Sequence, residues 1–251
     1  MRDILKDIVK HTHGLGIIQA VKVTTDDNST VLDAMDDDRT VVLRAKMHNR
    51  VEEFAGKFGM GRLGVTSGYL SYENTDDSGK SYGADISVGT MERNGETVPS
   101  EFKFSMKGVF DATYRVISSE LVDSQIKTAN FRGAKWDVEI MPSSKAVKDL
   151  QTFAGILSAY DPLFTVKTEG NDLLFHIGDA ATDKLSLKFA TNVEGTLSTG
   201  WSFPLATVLT ILKLGDTSTM SIKISDLGAM AIHIDSGMGL YEYILPAKSG
   251  N

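Results

Sequence analysis

Ile140-Met141-Pro142-Ser143-Ser144-Lys145-Ala146-Val147-Lys148-Asp149-Leu150-Gln151-Thr152-Phe153-Ala154-Gly155-Ile156-Leu157 is the stretch on which the reading of the fold turns. Pro142 closes an apolar strand, and the two serines after it offer an N-cap. Val147, Leu150, Ala154 and Leu157 recur at helical spacing and mark one buried stripe, with Lys145, Lys148 and Thr152 on the other side. The N-terminus repeats the device, because Leu5-Lys6-Asp7-Ile8 answers Val147-Lys148-Asp149-Leu150. Between Arg2 and His11, the residues Ile4, Leu5, Ile8 and Val9 make the apolar stripe, while Arg2, Lys6 and Lys10 share another face. A helix used twice, apolar below and lysine above, points to a two-copy protein that presents positive charge from helices.

Working outward, Gly14 and Gly16 end the first helix. Strands are expected at Ile17–Thr24, Val31–Met35 and Thr40–Lys46, separated by a turn at Asp26-Asp27-Asn28 and a polar corner at Asp36-Asp37-Asp38-Arg39. Arg50–Phe58 reads as a second short helix with Val51, Phe54, Ala55 and Phe58 inward, stopped by Gly59, Gly61 and Gly64. Strands follow at Tyr69–Tyr72, Ala84–Val88, Phe102–Met106 and Ala112–Ile117, with Asn94-Gly95 as a hairpin signal. Ser118–Gly133 lacks a clear period and reads as a surface connector. Trp136–Met141, Leu163–Thr168, Leu173–Ile177 and Lys184–Thr191 are strand-like. Phe203–Leu214 reads as a helix with Pro204 in its first turn, and Met220–Ser225, Met230–Asp235 and Leu240–Leu245 close the chain as strands. The order helix, strands, helix, strands occurs twice. Val21-Lys22 answers Val166-Lys167 and Asn49 answers Asn192 at an offset of about 143–145 residues, a weak internal repeat. Two copies of an α+β unit follow, each a sheet backed by two helices.

The chain has 251 residues, 41% hydrophobic, enough for one large or two ordinary domains. It has no cysteine, which excludes disulfides, thiolate metal sites and cysteine nucleophiles. The charged N-terminus is not a signal peptide, and no apolar run approaches the roughly 20 residues that span a bilayer, so an intracellular, cytoplasmic protein without a membrane partner is expected. The net charge of -7 argues against a nucleic-acid binder unless the basic residues are gathered on one face.

Three stretches resemble a known family. Leu32-Asp33-Ala34-Met35-Asp36-Asp37-Asp38-Arg39-Thr40-Val41 is similar to the Leu-x-Ala-Met-Asp segment of PCNA-type sliding clamps. Val138-Glu139-Ile140-Met141-Pro142-Ser143 resembles the strand that enters the second clamp domain, and Leu240-Tyr241-Glu242-Tyr243-Ile244-Leu245-Pro246-Ala247-Lys248 the tyrosine-rich strand at the clamp C-terminus. The likeness runs in order over most of the chain, strong in the second half and weak across Val51–Glu101, and it covers bacteriophage and archaeal-type clamps alike.

The resemblance implies an α+β DNA clamp fold. Two similar domains, 1–117 and 134–251, would be joined by a connector at 118–133, each with two helices packed on antiparallel sheet. Such chains form homotrimeric closed rings that encircle double-stranded DNA, are placed there by a clamp loader, and tether a replicative DNA polymerase without catalysing a reaction. The cations expected to face phosphate are Arg2, Lys6, Lys10, Arg50, Lys57, Lys145, Lys148 and Lys213. Ring closure would pair Ala112–Ile117 of one subunit with Lys184–Thr191 of the next, with Ala112, Tyr114, Val116, Leu185, Leu187 and Phe189 at the seam. A partner pocket, carried over by position, would use Met35, Arg39, Thr40, Leu121, Val122, Tyr243, Ile244, Leu245 and Pro246. Arg39 stands where the eukaryotic family usually has histidine.

Other signals carry less. Gly59-x-Gly61-x-x-Gly64 matches the dinucleotide fingerprint but follows an expected helix, not a strand. His11-x-His13 lacks a third ligand and reads as a helix-end pair near DNA, and Asp36-Asp37-Asp38 reads as a solvated turn rather than a cation site. No cofactor or metal is expected. No acid, base or nucleophile constellation supports an enzyme. The rival reading is a ring-forming viral assembly or interaction protein that does not bind DNA.

Overall fold

A computed structural model of the chain describes residues 1–93, 95–126, 134–157, 161–178 and 183–248. The chain divides into two compact units, one of residues 1–129 with Gly237–Tyr241, the other of residues 130–236 with 242–251. The first holds helices α1 (Arg2–His11), α2 (Leu63–Ser71) and α3 (Ser119–Gln125). Its strands are β1 (Val21–Thr25), β2 (Thr30–Met35), β3 (Val42–Met47), β4 (Gly56–Met60), β5 (Glu73–Thr75), β6 (Ser81–Gly83), β7 (Asp85–Arg93), β8 (Glu96–Met106) and β9 (Phe110–Arg115). The second holds α4 (Ser144–Leu157) and α5 (Leu205–Leu212) with β10 (Val138–Ile140), β11 (Leu163–Glu169), β12 (Asp172–Ile177), β13 (Leu185–Ala190), β14 (Trp201–Pro204), β15 (Met220–Ser225) and β16 (Ala229–Asp235). The last strand, β17 (Gly239–Pro246), has residues in both.

The duplication is topological. In the first unit four antiparallel strands lie in the order β3-β2-β1-β4, and in the second β13-β12-β11-β14. Each quartet is accompanied by a pair of touching helices, α1 with α2 and α4 with α5. Each is followed by a meander, β7-β8-β9 in the first and β15-β16-β17 in the second. Counterparts start at Arg2 and Ser144, Val21 and Leu163, Thr30 and Asp172, Val42 and Leu185, Gly56 and Trp201, and Leu63 and Leu205, a constant shift of about 142–145 residues. Asn49 and Asn192 each stand two residues past the third strand, so that match is structural. Val21-Lys22 opens β1 whereas Val166-Lys167 sits mid-strand in β11, so that match is out of register.

Both cores are aromatic, with Phe58 on β4 and Phe203 on β14 at corresponding strands. In the first unit Phe54, Phe58, Phe102 and Tyr114 pack with ring centroids 5.5–6.1 Å apart. In the second Phe164, Phe175, Phe189 and Phe203 pack at 4.1–6.2 Å. Helix α1 buries Leu5, Ile8 and Val9, each such side chain contributing about 1.5–3 kcal/mol. Helix α4 is capped as its serines predict, with Ser143 Oγ accepting from the Ala146 amide at 3.1 Å, and it buries Val147, Leu150 and Ala154.

Four sequence expectations are corrected. Arg50–Phe58 is not a helix but a 3-10 turn, Glu52–Phe54, followed by strand β4. Val51, Phe54 and Phe58 are buried as expected, but a turn and a strand share them. Gly56 at φ +88 breaks the helix between them, and a Cβ there would lie 2.8 Å from Val98 Cγ1. The second helix of this unit is instead α2, and it includes Tyr69, read as strand. Its buried positions Leu63, Thr66 and Leu70 keep helical spacing, but the threonine hides the stripe from a hydropathy reading. Ser119–Gln125 of the expected connector is helix α3, while residues 127–133 of that connector lie outside the described residues. Finally, Phe203 and Pro204 belong to strand β14, with Pro204 the N-cap of α5 rather than a first-turn residue. Asn94 also lies outside the described residues. Gly95 has φ +81, and β7 pairs with β8 up to Arg93 opposite Glu96.

Candidate functional site

The expected DNA-facing cations fall into two groups. Arg2 is a structural clasp. Its guanidinium donates to the carbonyls of Leu70 at 2.8 Å, Ala84 at 3.2 Å and Tyr72 at 3.4 Å, tying α1 to the C-terminal end of α2. Arg50 is another, with Nε donating to Asp26 O at 2.6 Å and an ion pair to Glu52. Lys57 lies on strand β4, not on a helix, and pairs with Asp123 of α3 at 2.8 Å. That pairing holds the Asp123 carboxyl below its ordinary range, the hydrogen bond from Lys57 being the main cause.

The second group is exposed on the helix pairs. Lys6 pairs with Glu73 at 3.3 Å and Lys145 with Asp149 at 2.5 Å, one turn along its own helix. Both cations are largely in water, where such pairs contribute about 0–1 kcal/mol, so a phosphate can replace the carboxylate at small cost. Lys10, Lys148 and Lys213 are exposed on α1, on α4 and at the C-cap of α5, and have no carboxylate partner among the described residues. In the first unit the pair α1–α2 therefore offers Lys6 and Lys10, and in the second the pair α4–α5 offers Lys145, Lys148 and Lys213. Helix α2 contains no basic residue; its exposed face is Gly64, Val65, Gly68 and Ser71. The cation at its start is Arg62, at φ +48 and stacked 5.9 Å over the Tyr114 ring. Arg62 escaped the sequence reading because the helix that it begins did.

The residues expected at a seam lie on or beside two outer strands. Strand β9 is an outer strand of the meander β7-β8-β9, and β13 an outer strand of the quartet in the second unit. Along β9, Ala112 and Tyr114 turn inward and Asp111, Thr113 and Arg115 outward. Along β13, Leu185, Leu187 and Phe189 turn inward and Ser186 and Lys188 outward. Val116 lies just beyond β9, half-buried, its amide donating to Ser100 O at 3.2 Å. Tyr114 is buried, which raises its pKa, and its hydroxyl donates to Gly61 O. The inward side chains belong to each unit's own core; what each edge offers outward is backbone.

The residues expected to form a partner pocket divide between the two units. In the first unit Met35 and Thr40 are half-buried, Arg39 is exposed at φ +54, and Leu121 on α3 is 57% exposed. Their loop is clipped by Asp36, whose carboxylate accepts from Thr40 Oγ1 at 2.6 Å and the Val41 amide at 2.7 Å. Asp36 is thus a buried clip, while Asp37 and Asp38 stay exposed. Val122 is fully buried against Gly59 and orients α3 rather than facing a partner. In the second unit Tyr243, Ile244 and Leu245 are buried and Pro246 is exposed. The apolar side chain that the sequence reading missed there is Leu227, 79% exposed in the β15–β16 turn. Gly228 beside it accepts from the Ala247 amide at 2.9 Å, which holds the turn against the C-terminal segment. A lone apolar residue inside the turn-forming Asp226-Leu227-Gly228 is the one sequence cue to it.

The set-aside motifs now have explanations. Gly59-x-Gly61-x-x-Gly64 runs from the end of strand β4 into helix α2, not out of a helix as expected. Two of its glycines serve packing instead. A Cβ on Gly59 would lie 2.6 Å from Val122 Cγ2, and one on Gly61 2.8 Å from Ile117 Cδ1. His11 is not a surface residue near DNA. It is fully buried and stacked on Tyr241 with centroids 4.0 Å apart, and burial lowers its pKa to about 3. Among the described residues no group of three or more His, Asp or Glu is placed to hold a metal ion, and no helix is long and apolar enough to cross a membrane.

No protein-family model matches the sequence, and no curated protein matches it. Solved structures do match in fold. The proliferating cellular nuclear antigen (PCNA) of Entamoeba histolytica superposes with a TM-score of 0.67 at 12% identity, over 99% of this chain and 96% of that one. The A. fulgidus PCNA, in a structure with the C-terminal region of FEN-1 bound, superposes with a TM-score of 0.70 at 9% identity, over 100% of this chain and 97% of that one. The chain has the PCNA-like sliding-clamp fold.

Proposed function

We propose that this PCNA-like chain is the subunit of a DNA sliding clamp, a non-enzymatic homotrimeric ring that encircles duplex DNA and tethers a replicative polymerase. One observation carries the reading: the doubled 3-2-1-4 quartet with its paired helices, matching PCNA over the whole chain, leaves an outer strand in each unit, β9 and β13. An outer strand is a template for pairing, and pairing β9 of one copy with β13 of the next is heterologous, which makes a ring when the rotation between copies closes after three. Lys6, Lys10, Lys145, Lys148 and Lys213 supply sequence-independent attraction to phosphate, which permits sliding. Residence on DNA then comes from closure, not from tight contact. A clamp loader opens the ring. Partners dock by short segments at Arg39 and Leu121 in the first unit and at Leu227 and Pro246 in the second. The protein works inside the cell, at the replication fork.

Mass in solution tests the assembly. At micromolar concentration the mass should be that of three 27.3 kDa chains. Thr113→Pro, which places a proline on the β9 edge, should lower it to one chain with unchanged far-ultraviolet dichroism. A monomeric wild type overturns the reading. The absence of basic residues from α2 favours a second reading, a ring that encloses no DNA. Primer extension on long templates with loader separates the two, since only a clamp lengthens the products.

A further inference from the structure

The first unit carries a groove beside the β9 edge. It lies between β4, the β7–β8 hairpin and the start of α3, with a volume of about 210 Å³. Its floor is apolar, formed by Phe58, Met91, Val98 and Val116, and Met91 is 50% exposed. Its rim is cationic, formed by Lys57, Arg93 and Arg115, and no carboxylate lines it. The acids that hold these cations stand outside the groove: Asp123 at 2.8 Å from Lys57, Glu120 at 3.0 Å from Arg93 and Glu101 at 2.9 Å from Arg115.

Two features make this a recess rather than a dent. Gly56, without a side chain, lets Val98 come down against β4, so the floor is strand on strand. The three cations are exposed enough for their ion pairs to contribute about 0–1 kcal/mol each, so they can turn to another carboxylate at small cost. The volume exceeds the ~150 Å³ that holds a benzene-sized group, which makes room for one aliphatic side chain.

We propose that this groove docks a short acidic segment of another protein, with one leucine-sized side chain on the Met91–Val98 floor and flanking carboxylates on Lys57, Arg93 and Arg115. Charge selects the occupant. The chain as a whole carries -7, so an acidic segment is repelled by the molecule at large and held only where cations are gathered. The apolar floor distinguishes such a peptide from a bare anion. Strands β4, β7 and β8 supply most of the walls, so the site is preformed and requires little ordering on binding. All of it lies within one unit, with Arg115 and Val116 placing it beside the β9 edge that ring closure would use.

The test uses the full chain with methyl-labelled methionine, whose ten signals include Met91, assigned through Met91→Leu. The probe is a fluorescein-labelled peptide, Asp-Glu-Leu-Asp-Glu. Saturable binding that shifts the Met91 methyl is expected. Affinity should fall about tenfold for Arg93→Glu, and by a similar factor when the peptide's leucine is replaced by serine. Arg93→Gln, which keeps the side-chain length without the charge, should lie between. Four results overturn the proposal: equal binding of the serine peptide, an unmoved Met91 signal, full competition by millimolar inorganic phosphate, or tighter binding of a single-stranded oligonucleotide with the same Met91 shift.

Discussion

Replacing Gly59 by alanine perturbs the joint between β4 and α3. The Gly59 amide donates to Ile117 O at 2.8 Å, the Ile117 amide donates back to Gly59 O at 2.7 Å, and Val122 packs over the pair. An added Cβ would meet Val122 Cγ2 at 2.6 Å, Val122 Cβ at 3.0 Å and Ile117 Cβ at 3.1 Å. Gly59 has no positive φ, so the effect is steric. Overpacking of this kind costs about 1–3 kcal/mol. Val122→Ala on its own removes two methyl groups from a fully buried site, about 1.5–3 kcal/mol with the cavity included. The double variant is informative because the alanine methyl at 59 would occupy the space that Val122 vacates. Its cost should be no greater than that of Val122→Ala alone, a coupling of about 1–3 kcal/mol against additivity. Urea unfolding followed by far-ultraviolet dichroism gives the cycle, and hydrogen exchange at the Ile117 amide follows the joint locally. Additivity within about 0.5 kcal/mol would refute the idea that these glycines exist to seat α3.

The cations separate by the same logic. Arg2→Ala should destabilise the chain by about 1.5–3 kcal/mol, because carbonyls at the end of α2 lose a charged donor, whereas Lys148→Ala and Lys213→Ala should leave the urea midpoint unchanged. Against DNA the order reverses: each lysine removed should lower the salt dependence by about one phosphate, measured as the slope of log affinity on log salt. The buried histidine makes stability pH-dependent. His11 is neutral in the fold, with its pKa lowered to about 3 by burial and then by Lys10, while the unfolded chain takes up this proton near 6.5. The unfolded state therefore binds more protons between those values. Stability from this group is complete above pH 6.5 and declines as the pH falls towards 3, by up to about 1.4 kcal/mol per pH unit. Asp7, 3.8 Å away, pulls the other way, but its carboxylate already accepts the Tyr241 hydroxyl at 2.8 Å. His11→Phe, which keeps the ring stacked on Tyr241, should flatten the decline in urea midpoint between pH 6.5 and 4.

What was legible in the sequence is what repeats at a fixed period. Helices α1 and α4 announce themselves through apolar residues three and four apart, and α4 also through its serine cap. The quartet strands alternate and are bounded by turns. Helix α2 is hidden in the sequence because a buried threonine and two glycines break its stripe, and the 3-10 turn before it imitates a helix because Phe54 and Phe58 lie four apart. The surface charges were harder. Arg2 and Lys10 look alike in the sequence, yet one holds three carbonyls and the other meets water, and only the ends of α2 and β6 decide which. Likewise Tyr243, Ile244 and Leu245 sit beside exposed residues but are themselves core, because strand alternation fails where a strand is buried on both faces. Leu227 went unnoticed because an isolated leucine in a turn has no period at all.

The central claim is that the chain holds DNA by enclosing it. The direct measurement is retention on nicked circular DNA after loading, compared with the same DNA cut once, at a salt concentration that abolishes binding to short duplexes. The account predicts that the protein stays on the circle and is lost from the linear molecule by sliding off its ends. Equal loss from both, or equal retention on both, would contradict it.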